Sequence, residues 1–180
     1  SGKPLPGAID ALSYLRKSNL PFRFLTNTTT KNRHTLQENL TNIGLACIEN
    51  EIISAGFAGI DFLRKKGSPS CRFFITENLK QDYIEFEEDL ENPEVIVIGD
   101  FDEWTYDLLN DAFYNVMNGA EIIALHKGKY YRVDSGLRMD AGGFVAALEF
   151  ATGKESQLVG KPNKAFFFCV SSHPIPPSAP

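Results

Sequence analysis

Apolar and polar residues along the chain form blocks that predict helices and strands in alternation. Apolar side chains recur at helical spacing in several stretches, most of which end at a glycine. Short apolar runs bounded by turn-forming residues, at 21–25, 71–75, 94–98 and 157–159, predict strands. Strands that alternate with helices are typical of an α/β fold with a mostly parallel sheet.

Finer features of the pattern predict particular caps, a hairpin and a tail. Ser54 can accept a hydrogen bond at the N-terminus of a helix, and Gly153 can close a later one. The apolar runs 122–125 and 130–133 flank a Lys-Gly turn, and this spacing favours a hairpin. Four prolines within residues 171–180 predict an irregular tail without a packed role.

Composition limits the class of protein. With 180 residues, 43% of them hydrophobic, the chain can bury the core of one domain, with or without an insertion. A net charge of −5 and a pI near 5.2 give no general affinity for nucleic acid. The longest apolar run is the six residues 165–170, too short to cross a membrane. The first residue is Ser1 and no secretory signal follows, so we expect the gene product to extend further.

The cysteines indicate a reducing compartment. Cys47, Cys71 and Cys169 are widely spaced, and no CxxC pair occurs. An odd number at such spacing favours free thiols in the cytoplasm over a disulfide framework or a zinc site.

Charge is concentrated in the middle of the chain. Residues 51–111 contain fifteen acidic and five basic side chains, whereas the flanking segments are slightly basic. This contrast fits either a solvated acidic loop at 85–94 or an inserted subdomain that begins near there.

Candidate chemistry lies where predicted strands end, since ligands of open α/β sheets bind beyond the carboxyl ends of their strands. Thr26, Asn27 and Thr28 follow one strand, and their hydroxyl and backbone N–H groups near a helix start suit a phosphate. Lys161, within a Gly-Lys-Pro run after the last strand, can supply a compact positive charge. Each motif alone is also compatible with an ordinary cap or turn.

Taken together and in this order, the motifs resemble those of the haloacid dehalogenase superfamily of phosphatases. Thr26 matches the second family motif, which hydrogen-bonds the transferred phosphoryl group, and Lys161 matches the third, which neutralises it. The resemblance extends over most of the chain. The similar segments are 4–8, 24–31, 109–113, 123–127, 130–131, 143–151 and 159–162.

The resemblance implies a two-part architecture. A Rossmann-like core with a parallel sheet, incomplete here, would comprise residues 1–67 and 155–170, and an inserted α/β cap would comprise 68–154. Such a cap closes over a small phosphorylated substrate and can also form a homodimer. Asp140, Gly142 and Gly143 occupy the position of a cap loop, so we nominate them for substrate contact, although the segment could simply lead into a helix.

The resemblance also implies Mg²⁺ and an aspartyl-phosphate intermediate. The family's nucleophilic aspartate would precede Ser1, and no Gly-Asp-Asp motif follows Lys161, so we expect no metal ligands and no phosphatase turnover in this chain alone. Asp100 and Asp102 imitate a metal motif, but they precede Lys161, in the wrong order. The alternative function is that of a non-catalytic truncation or splice product that binds a partner.

Overall fold

Helices and strands alternate along residues 3–174, the part of the chain that this computed structural model describes. The helices are α1 (Ala8–Lys17), α2 (Arg33–Asn42), α3 (Ala55–Lys65), α4 (Glu77–Lys80), α5 (Tyr106–Met117), α6 (Ala141–Thr152) and α7 (Lys164–Ser172). The strands are β1 (Phe24–Thr26), β2 (Ile52–Ser54), β3 (Cys71–Phe74), β4 (Val95–Ile98), β5 (Glu121–Ala124), β6 (Tyr130–Val133), β7 (Gly136–Met139) and β8 (Gln157–Leu158). Short 3₁₀ turns occupy Glu49–Glu51 and Gln81–Tyr83.

The larger sheet contains four parallel strands in the order β3-β4-β5-β8. β4 pairs with β3 and with β5, so that Val95 lies opposite both Cys71 and Glu121. All four residues of β4 are buried. A run of valine and isoleucine suits this position, because a central parallel strand is covered on both faces.

Helices cover both faces of this sheet. On one face, Leu63 of α3 packs in a cluster with Val95 and Val97. On the other face, Val116 of α5 and Val145 of α6 pack in a cluster with alternate residues of β4 and β5. The side chains of β4 alternate between the two clusters, as the pleat of a strand requires.

A smaller parallel sheet pairs β1 with β2, with Phe24 opposite Ile52 and Thr26 opposite Ser54. α7 packs against α3 beside this sheet, where Phe166 and Cys169 join a buried cluster with Ile53. The pairing places Thr26 at the carboxyl edge of the small sheet, where the chain turns toward α2.

The predicted α/β class and parallel sheet are confirmed, and so are the two caps. The Ser54 hydroxyl accepts a hydrogen bond from the Phe57 amide at 3.0 Å, at the start of α3. Gly153 closes α6 with a positive φ of 68°, a conformation that glycine adopts without steric cost.

The predicted hairpin between 122–125 and 130–133 is wrong. β5 lies between β4 and β8 in the parallel sheet, and β6 pairs antiparallel with β7, which the pattern did not predict. β5 is almost entirely buried and needs neighbours on both edges, whereas β6 is largely exposed and finds its partner across the next turn.

The end of the chain is more helical than predicted. α7 continues through Ser172, two residues into the predicted irregular tail, and residues 175–180 lie outside the described part. β8, placed by the predicted domain division within the core, pairs with β5. The division itself, 1–67 and 155–170 against 68–154, stays a prediction.

Across residues 3–174, the helices are too short or too polar for one of them to cross a membrane.

Candidate active site

The turn after β1 is held by its own hydroxyl groups. The Thr26 Oγ1 accepts a hydrogen bond from the Thr28 amide at 3.1 Å and lies 2.7 Å from the Thr28 Oγ1. The side chain of Thr26 therefore replaces a backbone acceptor and curls the chain just past the strand. This local turn presents the hydroxyl and amide groups of residues 26–28 at the edge of the small sheet.

Asn27 joins this turn to the segment that carries Lys161. The Asn27 Oδ1 accepts from the Lys161 amide at 2.9 Å, and the Asn27 Nδ2 donates to the Lys161 carbonyl, also at 2.9 Å. Both ends of the Asn27 amide are therefore engaged with one peptide backbone. Asn27, predicted to bind phosphate, positions Lys161 in this structure.

Gly160 makes that approach sterically feasible. A Cβ at position 160 would collide with the carbonyl oxygen of Leu125 and would also press on Asn27 Oδ1 at 3.1 Å. Only glycine leaves the room for the backbone at this point. The glycine of the Gly-Lys-Pro run is thus explained by the close approach of this segment to Leu125 and to Asn27.

The Lys161 ammonium lies at the carboxyl end of β1. Its Nζ donates to the Leu25 carbonyl at 3.0 Å. One of its three protons is used in this way, so two can still reach a ligand. Lys161 and Thr28 both line a cleft of about 790 Å³.

The other wall of this cleft comes from residues 100–144. It carries three acidic side chains, Asp100, Asp102 and Asp140, and several aromatic rings. The remaining side chains of this wall include Phe101, Trp104, His126, Tyr131, Arg138 and Phe144. A cleft of this size, with polar groups converging on it, is typical of a small-molecule site.

The sequence-predicted site residues divide between two cavities and a half-buried packing contact at the start of α6. Asn27, Thr28, Asp140 and Lys161 line the cleft. Thr26 lines a neighbouring cavity of about 720 Å³, which Thr28 also reaches.

Gly142 and Gly143 contribute to packing. A Cβ on Gly142 would collide with the backbone of Lys127 and Gly128, and one on Gly143 would lie 2.6 Å from the Met139 Sδ. These two glycines allow the first turn of α6 to pack closely against the loop at residues 127–128 and the end of β7. Their proposed contact with substrate stays a prediction.

An aromatic stack forms part of the cleft wall. The Trp104 indole lies between Phe74 and Phe144, with ring centroids at 4.8 and 4.9 Å and interplanar angles of 12° and 17°. The indole Nε1 is buried and has no hydrogen-bond partner among the described residues. Trp104 is the single tryptophan of the chain, so its fluorescence reports on this cleft.

Asp100 connects the β1 turn with the opposite wall. The Asp100 Oδ2 accepts from the Thr29 hydroxyl at 2.7 Å, and the Asp100 amide donates to the same Thr29 oxygen at 2.8 Å. Thr29 is fully buried, so the two hydrogen bonds between Thr29 and Asp100 are shielded from water.

Asp100 also forms a cluster with His126 and Asp140. The His126 Nε2 lies 3.4 Å from the Asp100 Oδ1 and 3.8 Å from the Asp140 Oδ1. Sequence reasoning missed His126 because its partners lie 26 and 14 positions away on other elements. One signal could have found the cluster: Asp100 follows β4, His126 follows β5, and Asp140 immediately precedes α6.

The charges within this cluster influence one another. Burial disfavours ionisation of Asp100, but the nearby His126 imidazole and the hydrogen bond from the Thr29 hydroxyl outweigh it and lower the pKa of Asp100 to about 2. Burial and the nearby Asp100 together raise the pKa of Asp140. Burial alone would lower the pKa of His126, yet the two carboxylates raise it.

The residues at the Lys161 end of the cleft do not by themselves fit a Mg²⁺ ion. Lys161 brings a positive charge, and Thr26, Asn27 and Thr28 bring hydroxyl and amide groups that are already hydrogen-bonded. Mg²⁺ sites in proteins are built on carboxylate oxygens. Within residues 3–174, the carboxylates of the cleft lie on its opposite wall.

Comparison with known proteins supports the architecture. Residues 1–87 match the family described as haloacid dehalogenase-like hydrolase. The 4-nitrophenylphosphatase of Thermotoga maritima is 27% identical, with a TM-score of 0.88 over 96% of this chain and 67% of its own.

Curated relatives match almost the whole length of this chain. The chain is 34% identical over 169 residues to the phospholysine phosphohistidine inorganic pyrophosphate phosphatase of Rattus norvegicus. It is 36% identical over 164 residues to the human haloacid dehalogenase-like hydrolase domain-containing protein 2. These matches cover 92% and 91% of this chain but only 62% of each relative. The chain therefore belongs to the haloacid dehalogenase-like hydrolases.

Proposed function

We propose that this chain forms the phosphate-binding edge and the cap of a phosphatase that acts on small phosphorylated molecules. The observation that carries the proposal is the double hydrogen bond between Asn27 and Lys161. It holds a lysine ammonium beside the hydroxyl-rich turn at the end of β1, in a cleft large enough for a small substrate.

The chemistry of this edge suits a phosphoryl group. An ammonium offers a compact positive charge, and Thr28 can add a hydroxyl donor once a ligand competes for it. A phosphoryl oxygen bound here would accept one of the two Lys161 Nζ protons that the Leu25 carbonyl leaves free. Lys161 would thereby stabilise the charge that develops on the phosphoryl oxygens during transfer.

The opposite wall would receive the rest of the substrate. Trp104 and Phe144 provide an apolar face, and Asp102 and Arg138 add charges of both signs near the opening. The rat relative is named for phospholysine, phosphohistidine and pyrophosphate. We propose a substrate of comparable size, a phosphomonoester or a related phosphate. A Mg²⁺ requirement, which the family implies, would have to be met with carboxylates additional to those at the Lys161 end.

Binding of inorganic phosphate and of p-nitrophenyl phosphate tests the proposal. Titration of the purified chain, followed by Trp104 fluorescence and by calorimetry, should show saturable binding at neutral pH. Lys161→Ala should weaken binding by roughly tenfold or more, since a charge-assisted hydrogen bond contributes about 1.5–3 kcal/mol. Lys164→Ala is the matched control, because Lys164 is exposed at the start of α7 only three residues away.

Equal affinity in the wild type and in Lys161→Ala would contradict the assignment of Lys161. Absence of saturable phosphate binding in a folded wild-type chain would overturn the proposal and favour a non-catalytic binding protein. Phosphate release from p-nitrophenyl phosphate, measured in the same samples, reports whether the chain also turns over substrate.

A further inference from the structure

The imidazole of His126 is buried and points between two carboxylates. Only 6% of the residue is exposed, and its Nε2 has no hydrogen-bond partner among the described residues. Nε2 lies 3.4 Å from the Asp100 Oδ1 and 3.8 Å from the Asp140 Oδ1, and one ligand atom from each of the three residues lies within 4.8 Å of the other two. A buried ring nitrogen without a partner is costly unless something occupies the space in front of it.

The spacing of the three atoms suits a shared ion better than hydrogen bonds. Separations of 3.4 and 3.8 Å exceed the usual N–H···O range. An ion held at about 2.0–2.2 Å by imidazole and carboxylate ligands keeps those ligand atoms about 3.0–3.5 Å from one another. The 3.4 Å separation already lies in this range, and Asp140 would have to move closer to His126 to reach it.

Neighbouring groups already orient the two carboxylates. The Thr29 hydroxyl holds the Asp100 Oδ2 at 2.7 Å and leaves Oδ1 to face His126. The Ala141 amide holds the Asp140 Oδ1 at 2.9 Å, at the N-terminus of α6. Hydrogen bonds of this kind fix the direction of metal-binding side chains in proteins.

We propose that Asp100, His126 and Asp140 form a binding site for a first-row divalent transition ion such as Zn²⁺ or Co²⁺. One imidazole nitrogen and two carboxylate oxygens suit such ions better than Mg²⁺, which prefers oxygen ligands alone. The site opens onto the cleft that Lys161 and Thr28 also line, so water or a substrate oxygen can fill the remaining coordination positions. It is separate from the Lys161 edge and does not depend on phosphatase activity.

Binding of the ion has a structural consequence at Gly128. The Gly128 amide lies 3.2 Å from the His126 Nδ1 and donates to it. When Nε2 binds an ion, the ring proton moves to Nδ1, and the Gly128 amide has to move away. Binding of the ion therefore breaks the hydrogen bond from the Gly128 amide to the His126 ring. The NMR resonance of the Gly128 amide should shift when this happens.

Titration of the full chain with Co²⁺ and Zn²⁺ tests the site. Co²⁺ should quench the fluorescence of Trp104, which lines the same cleft, and should give visible d–d absorption without a thiolate charge-transfer band. The last criterion excludes the second group of ligand-type side chains, Asp61, Cys169 and His173, which contains a thiol. Zn²⁺ should displace Co²⁺ and should shift the Gly128 amide resonance.

Substitutions then locate the ligands. Asp100→Asn and His126→Gln should each weaken Co²⁺ binding by more than tenfold, and Thr29→Val should weaken it by about 10- to 100-fold through loss of orientation. Asp102→Asn is the matched control, an exposed carboxylate in the same cleft, and should bind Co²⁺ like the wild type. Circular dichroism verifies that each variant is folded.

Failure of the wild-type chain to quench or to absorb at millimolar Co²⁺ would overturn the proposal. Wild-type affinity in a folded His126→Gln variant, or a thiolate band, would also overturn it, because the ion would then lie elsewhere. Either result leaves phosphate binding by Lys161 unaffected, so the two proposals fail separately.

Discussion

Asn27 and Lys161 lie 134 positions apart, and the side chain of one forms two hydrogen bonds with the backbone of the other. The pair connects the turn after β1 with the segment after β8. Neither bond uses the Lys161 ammonium or a threonine hydroxyl, so the backbone that carries these groups is fixed without occupying them. Pre-organisation of this kind lowers the cost of ordering a site when a ligand binds.

Removal of the Asn27 side chain should therefore affect stability and phosphate binding together. In Asn27→Ala, the partly buried N–H and C=O of Lys161 lose their partner, and we expect a loss of about 2 kcal/mol in the free energy of unfolding. Urea denaturation measures this loss. Asn118→Ala, at an exposed position after α5, should change the stability little, and equal losses in both variants would contradict the role of Asn27.

Gly160→Ala should displace the Lys161 backbone. Its Cβ would meet the carbonyl of Leu125, which belongs to the backbone and cannot rotate away. We expect a loss of stability of about 2 kcal/mol, on the scale of overpacking, together with weaker phosphate binding. Gly67→Ala is the comparison, because its φ of 99° is unfavourable for alanine while the space around it is open. It should lower the melting temperature and leave phosphate affinity unchanged; an unchanged affinity in Gly160→Ala would refute the steric argument.

The ion pair between Arg16 and Glu51 should dominate the attachment of α1. The Arg16 guanidinium forms hydrogen bonds of 2.9 and 2.8 Å to both carboxylate oxygens, and only 2% of the Glu51 side chain is exposed. Arg16→Leu leaves the buried Glu51 carboxylate with only the Ile48 amide and without its cationic partner, which should cost about 3 kcal/mol of unfolding free energy. Lys17→Leu, at an exposed position, serves as control in the same thermal and urea experiments. Similar stability of the two variants would show that the pair contributes little.

Glu149 should make stability depend on acid pH. Burial opposes its ionisation, but hydrogen bonds from Lys127 and Ser156 outweigh it and lower the pKa of Glu149 in the folded protein. The ionised form is therefore stabilised above the ordinary glutamate pKa of about 4.3, and the stabilisation is lost as pH falls through the lower folded value.

Glu149→Gln should accordingly be less stable than the wild type at pH 7, by about 1 kcal/mol, and the difference should shrink below about pH 4. Denaturation across a pH series measures both quantities. Glu155→Gln, an exposed neighbour, should show no such convergence. A difference between Glu149→Gln and the wild type that stays constant to pH 3 would contradict the role of the carboxylate.

Local signals in the sequence determined much of the fold. The Ser54 cap, the Gly153 terminus and the apolar run of β4 depend on neighbours within a few positions, and the structure confirms them. Thr26 and Lys161 were nominated because each follows a strand. The two strands, β1 and β8, belong to different sheets, and the catalytic roles of both residues stay predictions.

Other features were decided by tertiary structure alone. β5 pairs with a strand on each edge in the parallel sheet, so β6 pairs with β7. The local sequence pattern does not show which partner a strand will take. The Asn27 side chain acquired its role from a backbone 134 residues away. Asp100 and Asp140 came together with His126 because β4, β5 and α6 pack side by side, and periodicity within one segment carries no information about such contacts between segments.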